Sequence, residues 1–295
     1  MADSLLDMRI FVRVVEAGSL SGAARALNLS LAVVSRKLAR IEERLGVRLL
    51  NRTTRALSLT EEGQRFHVRC VRILADIEEA ELEASSGQRT ASGLLRVTTT
   101  VAFGRRWLSG LLAEFQRLHP DLRIHLDASD TISNIVEGGY DLAVRFGALA
   151  DSSLIARRIA PNRRVICAAP AYLDARGRPQ TAEDLLAHDC IAYGDPLLDH
   201  WSFADGRMVK VRGALTGNDG ELAHAWALAG AGLVMKSIWD VRADIAAGLL
   251  EVVLPDMELP SAPIHAVYPH SRHAAARVRL CVDFLADHLG RLADA

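Results

Sequence analysis

The sequence has few cysteines, and they lie far apart. Cys70, Cys167, Cys190 and Cys281 form no Cys-x-x-Cys motif and no Cys/His cluster, which argues against a metal site and favours buried thiols in a reducing compartment. No apolar run reaches the length of a membrane span, and the amino terminus lacks the basic start and apolar core of a secretory signal. We therefore expect a cytoplasmic protein with no membrane partner and no cofactor.

The chain also lacks the short motifs of common catalytic sites. It contains no Gly-x-Ser-x-Gly, no Gly-x4-Gly-Lys-[Ser/Thr], no His-Glu-x-x-His and no Gly-x-Gly-x-x-Gly after a strand, and its ten histidines show no ligand spacing. We predict that the protein is not an enzyme. The alternative is a solute-binding or enzymatic α/β domain fused to a DNA-binding module. Turnover of added metabolites would favour the enzymatic alternative.

Charge is unevenly distributed, although the whole chain carries only −1 at pH 7. Residues 1–59 hold ten basic and five acidic side chains, a net charge of +5. Residues 60–89 hold four basic and seven acidic side chains, a net charge of −3. A basic amino-terminal segment followed by a mildly acidic remainder is typical of a nucleic-acid-binding module joined to another domain.

Residues 1–59 have the pattern of a winged helix-turn-helix domain. Helical periodicity occurs over 4–17, 19–27 and 31–45, with a short turn before the third helix. Residues 46–59, GVRLLNRTTRALSL, form two apolar runs around a basic tip, which predicts a β-hairpin. The predicted buried stripe of the third helix is Val34, Leu38, Ile41 and Leu45.

The third helix and the hairpin supply the candidate DNA-reading side chains. The amino-terminal half of such a helix reaches base edges. Arg36 can form a bidentate contact with guanine or bind a phosphate. The hairpin can reach the sugar–phosphate backbone or the minor groove. The candidates are Ser30, Leu31, Ala32, Ser35, Arg36, Arg40, Arg52, Thr53, Thr54 and Arg55.

The same basic residues also have a simpler interpretation. Arg36 and Arg40 can lie on a solvated helix face, with Arg40 paired to Glu43. Lys37 and Arg44 are expected to face solvent or phosphate without reading bases.

A long helix is predicted to begin after Thr60, as a linker over residues 60–88. Its apolar residues are spaced 4, 3, 4, 3 and 4 positions apart, which is a heptad seam. A long helix with one narrow apolar stripe would be badly exposed alone, so we expect it to pair with a second copy. The predicted dimerisation residues are Phe66, Cys70, Ile73, Ile77, Ala80 and Ala84.

The pattern changes after a polar, glycine-containing hinge at 89–93. Short apolar strands then alternate with amphipathic helices over residues 94–295, which predicts parallel sheets covered by helices. About 200 residues suffice for two small α/β lobes.

The amino-terminal run resembles a known family. Residues 11–63, from FVRVVEAGSLSGAARALNLS through NRTTRALSLTEEG, resemble the signature of LysR-type transcriptional regulators, most closely the subgroup whose wing reads NRTTR. Ala32 stands where members usually have Pro or Ser, and Leu31 where they often have Gln. Leu31 cannot make a polar base contact, so base readout at this point differs from the family pattern.

The resemblance implies a ligand-responsive regulator. It implies a periplasmic-binding-protein-like effector domain, with a small-molecule site between two lobes and a dimeric or tetrameric assembly on double-stranded DNA. We expect one lobe to comprise about 94–162 and 267–295, and the other about 163–266. The chain crosses between them near 162–164 and 263–266.

Strand ends and helix amino termini suggest where the effector binds. They meet in the crevice of such sheets, and helix amino termini favour anions, so a small carboxylate is the default expectation. Instead of binding an effector, most of these candidates could simply cap helices, and Arg145 could form an ion pair with Asp141. The candidate effector residues are Thr99, Thr100, Val101, Arg145, Phe146, Gly147, Asn218 and Asp219.

Overall fold

The computed structural model of the protein describes residues 2–52, 57–86, 91–131, 135–136, 138–147, 154–270 and 275–294. The chain divides into two compact units, Met1–Arg89 and Thr90–Ala295. Among the described residues, no helix is long and apolar enough to cross a membrane.

The amino-terminal unit is a helical domain with a small two-stranded hairpin. Ser19 and Ser30 begin the second and third helices by accepting the amide hydrogens of Gly22 and Val33. Gly46, at φ 69°, ends the third helix in the left-handed conformation. The elements are α1 (Ala2–Glu16), α2 (Leu20–Ala26), α3 (Leu31–Leu45), β1 (Leu50–Arg52), β2 (Leu57–Leu59) and α4 (Glu61–Ser86).

One apolar core fixes the orientation of α3. Val34, Leu38 and Ile41 are fully buried against α1 and α2. The prediction that Leu45 continues this stripe is wrong, because Leu45 is 40% exposed at the last position of the helix. Three buried positions at i, i+4 and i+7 are sufficient to turn the opposite face of α3 outward.

A buried ion pair joins α1 to α3. Nζ of Lys37 lies 3.1 Å from Oδ1 of Asp7, and the side chains are 19% and 3% exposed. The expectation that Lys37 faces solvent or phosphate is therefore wrong. Lys37 belongs to the inward side of α3 because its long stem carries the ammonium group to a buried carboxylate.

The first lobe of the second unit is a five-stranded mixed sheet in the order β4-β3-β5-β14-β6. β3 is parallel to its two neighbours, β4 and β5, whereas β14 is antiparallel to β5 and β6. The prediction of a parallel sheet holds for β3, β4 and β5 but is wrong for β14, which returns from the other lobe in the opposite direction. The strands are β3 (Gly93–Thr99), β4 (Leu122–Ala128), β5 (Leu142–Phe146), β6 (Leu154–Ala160) and β14 (Ile264–Pro269).

Helices cover this sheet and complete its core. A continuous helical run starts at Val101 and includes one π-helical turn, and the carboxy-terminal helix returns to the same lobe. Phe103, Phe115 and Cys281 are fully or almost fully buried between these helices and the sheet. The elements are α5 (Val101–Phe103), the π turn (Gly104–Leu108), α6 (Ser109–Leu118) and α10 (Ala276–Asp294).

The second lobe has a mixed sheet in the order β11-β8-β12-β7-β13, with a separate hairpin, β9 and β10. β12 pairs parallel with β8 and antiparallel with β7. Its elements are β7 (Arg164–Ala168), α7 (Pro170–Arg176), a 3-10 turn (Glu183–Ala187), β8 (Cys190–Tyr193), β9 (His200–Ser202), β10 (Met208–Lys210), β11 (Thr216–Gly217), α8 (Gly220–Leu228), β12 (Leu233–Ser237), α9 (Ile238–Ala246) and β13 (Glu251–Val253).

The segment between β6 and β7 and the segment before β14 connect the lobes, and a hydrogen bond joins these two segments. Asn162 donates from Nδ2 to the carbonyl of Ala262 at 2.8 Å and accepts from Ser237 at 2.7 Å. Because β14 already belongs to the first lobe at Ile264, the second lobe ends about three residues before the predicted boundary at 266. The cleft between the lobes therefore has a hydrogen-bonded hinge on one side.

Candidate DNA-reading surface and effector cleft

The outer face of α3 carries five of the ten predicted DNA-reading residues. Leu31 is 51% exposed, Ala32, Arg36 and Arg40 are exposed, and Ser35 is half-buried. These five candidates thus share one face and its edge, and Leu31 and Ala32 belong to the first turn, whose amides have no partner within the helix.

Ser30 has a local structural task at the start of this helix. Its hydroxyl accepts the amide hydrogen of Val33 at 3.3 Å. Such a cap contributes about 1 kcal/mol to helix stability. Ser30 therefore fixes the first turn that presents Leu31 and Ala32, whether or not it also reaches DNA.

The hairpin is held against α3 by a carboxylate that sequence reasoning did not single out. Oε1 of Glu42 accepts the amide hydrogens of Leu49 and Leu50 at 2.9 and 3.3 Å. Thr60 closes the other side, donating to the carbonyl of Arg48 at 2.7 Å. The base of the hairpin is consequently fixed relative to α3.

The tip of the wing is only partly described. Arg52 is the last residue of β1 and pairs in register with Leu57. Thr53, Thr54 and Arg55 lie outside the described residues. β1 and β2 pair antiparallel on either side of these residues, in agreement with the predicted β-hairpin.

The predicted seam of α4 is divided between two environments. Phe66 packs on Phe11, with ring centroids 5.4 Å apart, and Cys70 is fully buried in the core of its own unit, which raises the pKa of its thiol to about 12. Assigning Cys70 to a dimer seam is therefore wrong, because α1 already covers it. Ile73, by contrast, is 40% exposed.

The remaining seam residues follow Ile73 along the same helix. Ile77 is half-buried. Ala80 and Ala84 lie within α4, but their side chains are outside the described set. The heptad spacing correctly predicts a long apolar stripe but not which part of it the chain itself covers.

Thr99 does not face the cleft. It is fully buried, and its hydroxyl donates to the carbonyl of Val144 at 3.2 Å, inside the sheet of the first lobe. Its predicted effector contact is therefore wrong, because the side chain points to the neighbouring strand β5. Thr100 is half-buried at the position that begins α5, without a side-chain cap bond.

A carboxylate bridges the two lobes at the predicted crevice. Oδ1 of Asp130 accepts the amide hydrogen of Val101 at 2.9 Å, and Oδ2 accepts that of Gly220 at 2.8 Å. Val101 begins the helical run of the first lobe, and Gly220 begins α8 of the second. Sequence reasoning located Val101 at the crevice but missed Asp130, the residue that binds it.

Arg145 lies beside this bridge, at the end of β5. Its Nη2 is 3.5 Å from Oγ1 of Thr98. Burial lowers the pKa of Arg145, while the negative charges of Asp127 and Asp130 act in the opposite direction. The alternative pairing with Asp141 is not what the structure shows, since that carboxylate lies 3.7 Å from Arg277.

The other predicted residues of the crevice have packing or capping contacts. Phe146 packs edge-on against Phe103 at 5.2 Å, and the amide of Gly147 donates to the carbonyl of Pro263 at 3.0 Å. Asp219 caps α8 by accepting the amide hydrogen of Glu221 at 2.6 Å. Asn218 is exposed just before it.

A buried lysine lies behind Gly220. Nζ of Lys236 donates to the carbonyl of Gly220 at 3.1 Å and lies 2.9 Å from Asp240. Burial acts to lower the pKa of Lys236, but its electrostatic interactions with Tyr193 and with the carboxylate of Asp240 outweigh burial, and the pKa is raised. The ammonium group is thus a charged, fully paired part of the wall.

A second polar contact between the lobes lies further along the helices. Arg106 donates towards Nδ1 of His224 at 3.0 Å, and Nε2 of the same ring is 3.0 Å from Asp244. Because the guanidinium only donates, Nδ1 must accept, and the ring is neutral. Burial, and then Arg106, lower the pKa of His224. The adjacent cavity of about 390 Å³ is also lined by Trp107.

Two family comparisons cover both units. The lysR family of bacterial regulatory helix-turn-helix proteins matches residues 5–64, and the LysR substrate binding domain matches residues 88–290. The chain belongs to the LysR family. It is a DNA-binding transcription regulator with an effector domain, and not an enzyme.

Named relatives agree with this assignment. HTH-type transcriptional regulator CrgA of Neisseria meningitidis serogroup C (strain 8013) is 38% identical over 288 residues, covering 96% of this chain and 96% of CrgA. HTH-type transcriptional regulator DmlR of Escherichia coli (strain K12) is 35% identical over 288 residues, covering 95% of this chain and 93% of DmlR.

Solved structures of LysR-type regulators share the fold. The structure of CrgA from Neisseria meningitidis has a TM-score of 0.63 at 38% identity and covers 96% of this chain and 98% of its own. Full-length AphB, a Vibrio cholerae virulence activator, has a TM-score of 0.59 at 29% identity, covering 96% and 98%. The order of winged helix-turn-helix and two-lobed domain is that of the LysR-type regulators.

Proposed function

We propose that this LysR-type regulator reads its operator through the amino-terminal half of α3 and the wing. The observation that carries the proposal is the exposure of Ala32 and Arg36 on the face opposite the buried stripe of α3. Arg36 has the geometry to bind the O6 and N7 atoms of guanine, and Ala32 permits close approach to a base.

The other basic residues fix the position of the domain on the duplex. Arg40 on α3, and Arg52 and Arg55 on the wing, contact phosphates, while Ser35, Thr53 and Thr54 add hydrogen bonds. Removal of a phosphate contact lowers the affinity evenly for all DNA sequences, whereas removal of a base contact lowers the specificity. Leu31 offers only apolar contact, to a thymine methyl group or a sugar.

The effector domain is proposed to bind a small molecule between its lobes, near Thr100 and Arg145. Ligand binding there shifts the population of lobe arrangements and thereby the spacing of paired DNA-binding domains. The assembly is a dimer or tetramer, in which α4 contributes the exposed Ile73. Double-stranded operator DNA, the effector and further copies of this chain are the partners.

A gel shift with the protein's own upstream DNA tests the reading role of Arg36. Losing a bidentate base contact costs about 1–3 kcal/mol, so Arg36→Ala should weaken specific retention about 5- to 150-fold. Arg44→Ala is the matched control, because Arg44 lies at the other end of α3 and donates to Ser4 at 3.1 Å. Equal retention by Arg36→Ala and Arg44→Ala would remove Arg36 from the reading surface.

A further inference from the structure

We propose that the carboxylate of Asp130 fills the anion-binding position of this cleft and so excludes small anionic effectors. Asp130 is thus a specificity-determining residue. The inference rests on the proposed effector site between the lobes. It also replaces the default expectation of a carboxylate effector. The effector class is instead a small neutral or cationic molecule that binds beside Asp130.

The carboxylate of Asp130 occupies both helix amino termini that would otherwise attract an anion. Each of its oxygens accepts one amide hydrogen, from Val101 of the first lobe at 2.9 Å and from Gly220 of the second at 2.8 Å. First-turn amides have no partner within their own helix and form the positive end of the helix dipole. Asp130 therefore supplies the negative charge that these two ends favour.

The second-lobe end of this bridge, at Gly220, is closely packed. A Cβ atom added to Gly220 would lie 3.0 Å from Nζ of Lys236, 3.2 Å from the ring of Tyr193 and 3.4 Å from Oδ2 of Asp130. A methyl group at this position would require Lys236 and Tyr193 to shift by a few tenths of an ångström, so little room remains beside the bridge at Gly220.

The positive charges near this bridge already face carboxylates: Arg145, which donates to Thr98, interacts electrostatically with Asp127 and Asp130. The buried ammonium of Lys236 is already 2.9 Å from Asp240. A second carboxylate brought next to Asp130 would meet a like charge at short distance, where repulsion in a partly buried site is strong. Hydrogen-bond donors on a neutral or cationic ligand would instead find the remaining lone pairs of Asp130 attractive.

Calorimetric titration of the full-length protein with sodium sulfate and with sodium acetate tests the inference. Ionic strength is held constant with NaCl, so that general screening does not vary. Asp130→Ala and Asp130→Ser both free the two amides and vacate the position. We expect each variant to bind both anions saturably, about tenfold or more tighter than the wild type. Asp121→Ala, an exposed acid at the opposite end of β4, should behave as the wild type.

Two outcomes would overturn the proposal. One is saturable sulfate or acetate binding by the wild type with the affinity of the Asp130 variants. The other is the absence of anion binding in both variants while their far-ultraviolet circular dichroism matches that of the wild type. Retention of upstream DNA by the same preparations separates this proposal from the proposed function, because Asp130 lies outside the DNA-binding unit and its variants should retain DNA as the wild type does.

Discussion

The ion pair between Lys37 and Asp7 joins α3 to α1, and the cost of removing it can be calculated. Lys37→Met keeps the length and apolar stem of the side chain but removes the charge. Asp7, only 3% exposed, is then left without the ammonium group that lies 3.1 Å from its Oδ1 atom. The loss should loosen the packing of α1 against α3.

The expected magnitude follows from the distance and the burial. Two unit charges 3.1 Å apart attract by about 5 kcal/mol at an effective dielectric constant of about 20, and dehydration of both groups offsets most of this attraction. Removing one partner of a fully buried pair costs about 3–5 kcal/mol. Since Lys37 is 19% exposed, water reaches it, and we expect a cost of about 2–3 kcal/mol.

Amide hydrogen exchange of the full-length protein measures this cost locally. At tenfold per 1.4 kcal/mol, the most protected amides of α1 and α3 should exchange about 30- to 150-fold faster in Lys37→Met. Arg13→Met is the matched control, because Arg13 and Glu16 form an ion pair of 2.9 Å on α1 with both side chains about half exposed. Its effect should stay below about 1 kcal/mol.

A double substitution distinguishes the pair from simple loss of packing. Asp7→Asn combined with Lys37→Met leaves no buried charge, so it should recover more than half of the lost protection. The reasoning is refuted if Lys37→Met exchanges no faster than Arg13→Met, or if the double variant is as unstable as the sum of the single variants.

Three further perturbations have definite outcomes. Gly63→Ala places a Cβ 1.9 Å from the carbonyl oxygen of Leu49, so it should destabilise the DNA-binding unit by about 3 kcal/mol, measured by hydrogen exchange. Gly110→Ala places a Cβ in open space and should stabilise its helix by about 0.5–1 kcal/mol. The pKa of His224 is lowered from 6.5 in the folded protein, so the unfolded state takes up the proton first on acidification. The stability of the effector domain to urea should therefore fall as the pH falls from about 7 to 5. The His224→Gln variant should lose less stability over the same pH range. Ile73→Asp should reduce the oligomer on a sizing column; unchanged elution would exclude Ile73 from the interface.

Much of the amino-terminal domain could be predicted because its pattern is local. The stripe of Val34, Leu38 and Ile41 specifies which face of α3 is buried, and Ser30 and Gly46 mark its ends. These features depend on residues a few positions apart, which periodicity and capping rules describe well. The outward position of Arg36 follows directly from them.

The errors and omissions concern partners that are distant in the sequence. A heptad spacing cannot say whether Cys70 is covered by a second copy or, as the structure shows, by α1 of the same chain. Thr99 stands at a strand end, but whether it turns to the cleft or to β5 depends on the sheet order. Asp130 meets an amide 90 residues away, and no local pattern indicates such a contact.

Hydroxyl-radical footprinting on the adjacent upstream DNA tests the central claim most directly, namely that the outer face of α3 and the wing read the operator. The wild type should protect discrete segments that recur at about 10–10.5 base pairs, on one face of the duplex. Arg36→Ala should lose this pattern, while Arg44→Ala should keep it. An unchanged pattern with Arg36→Ala, or no discrete protection by the wild type, would contradict the account.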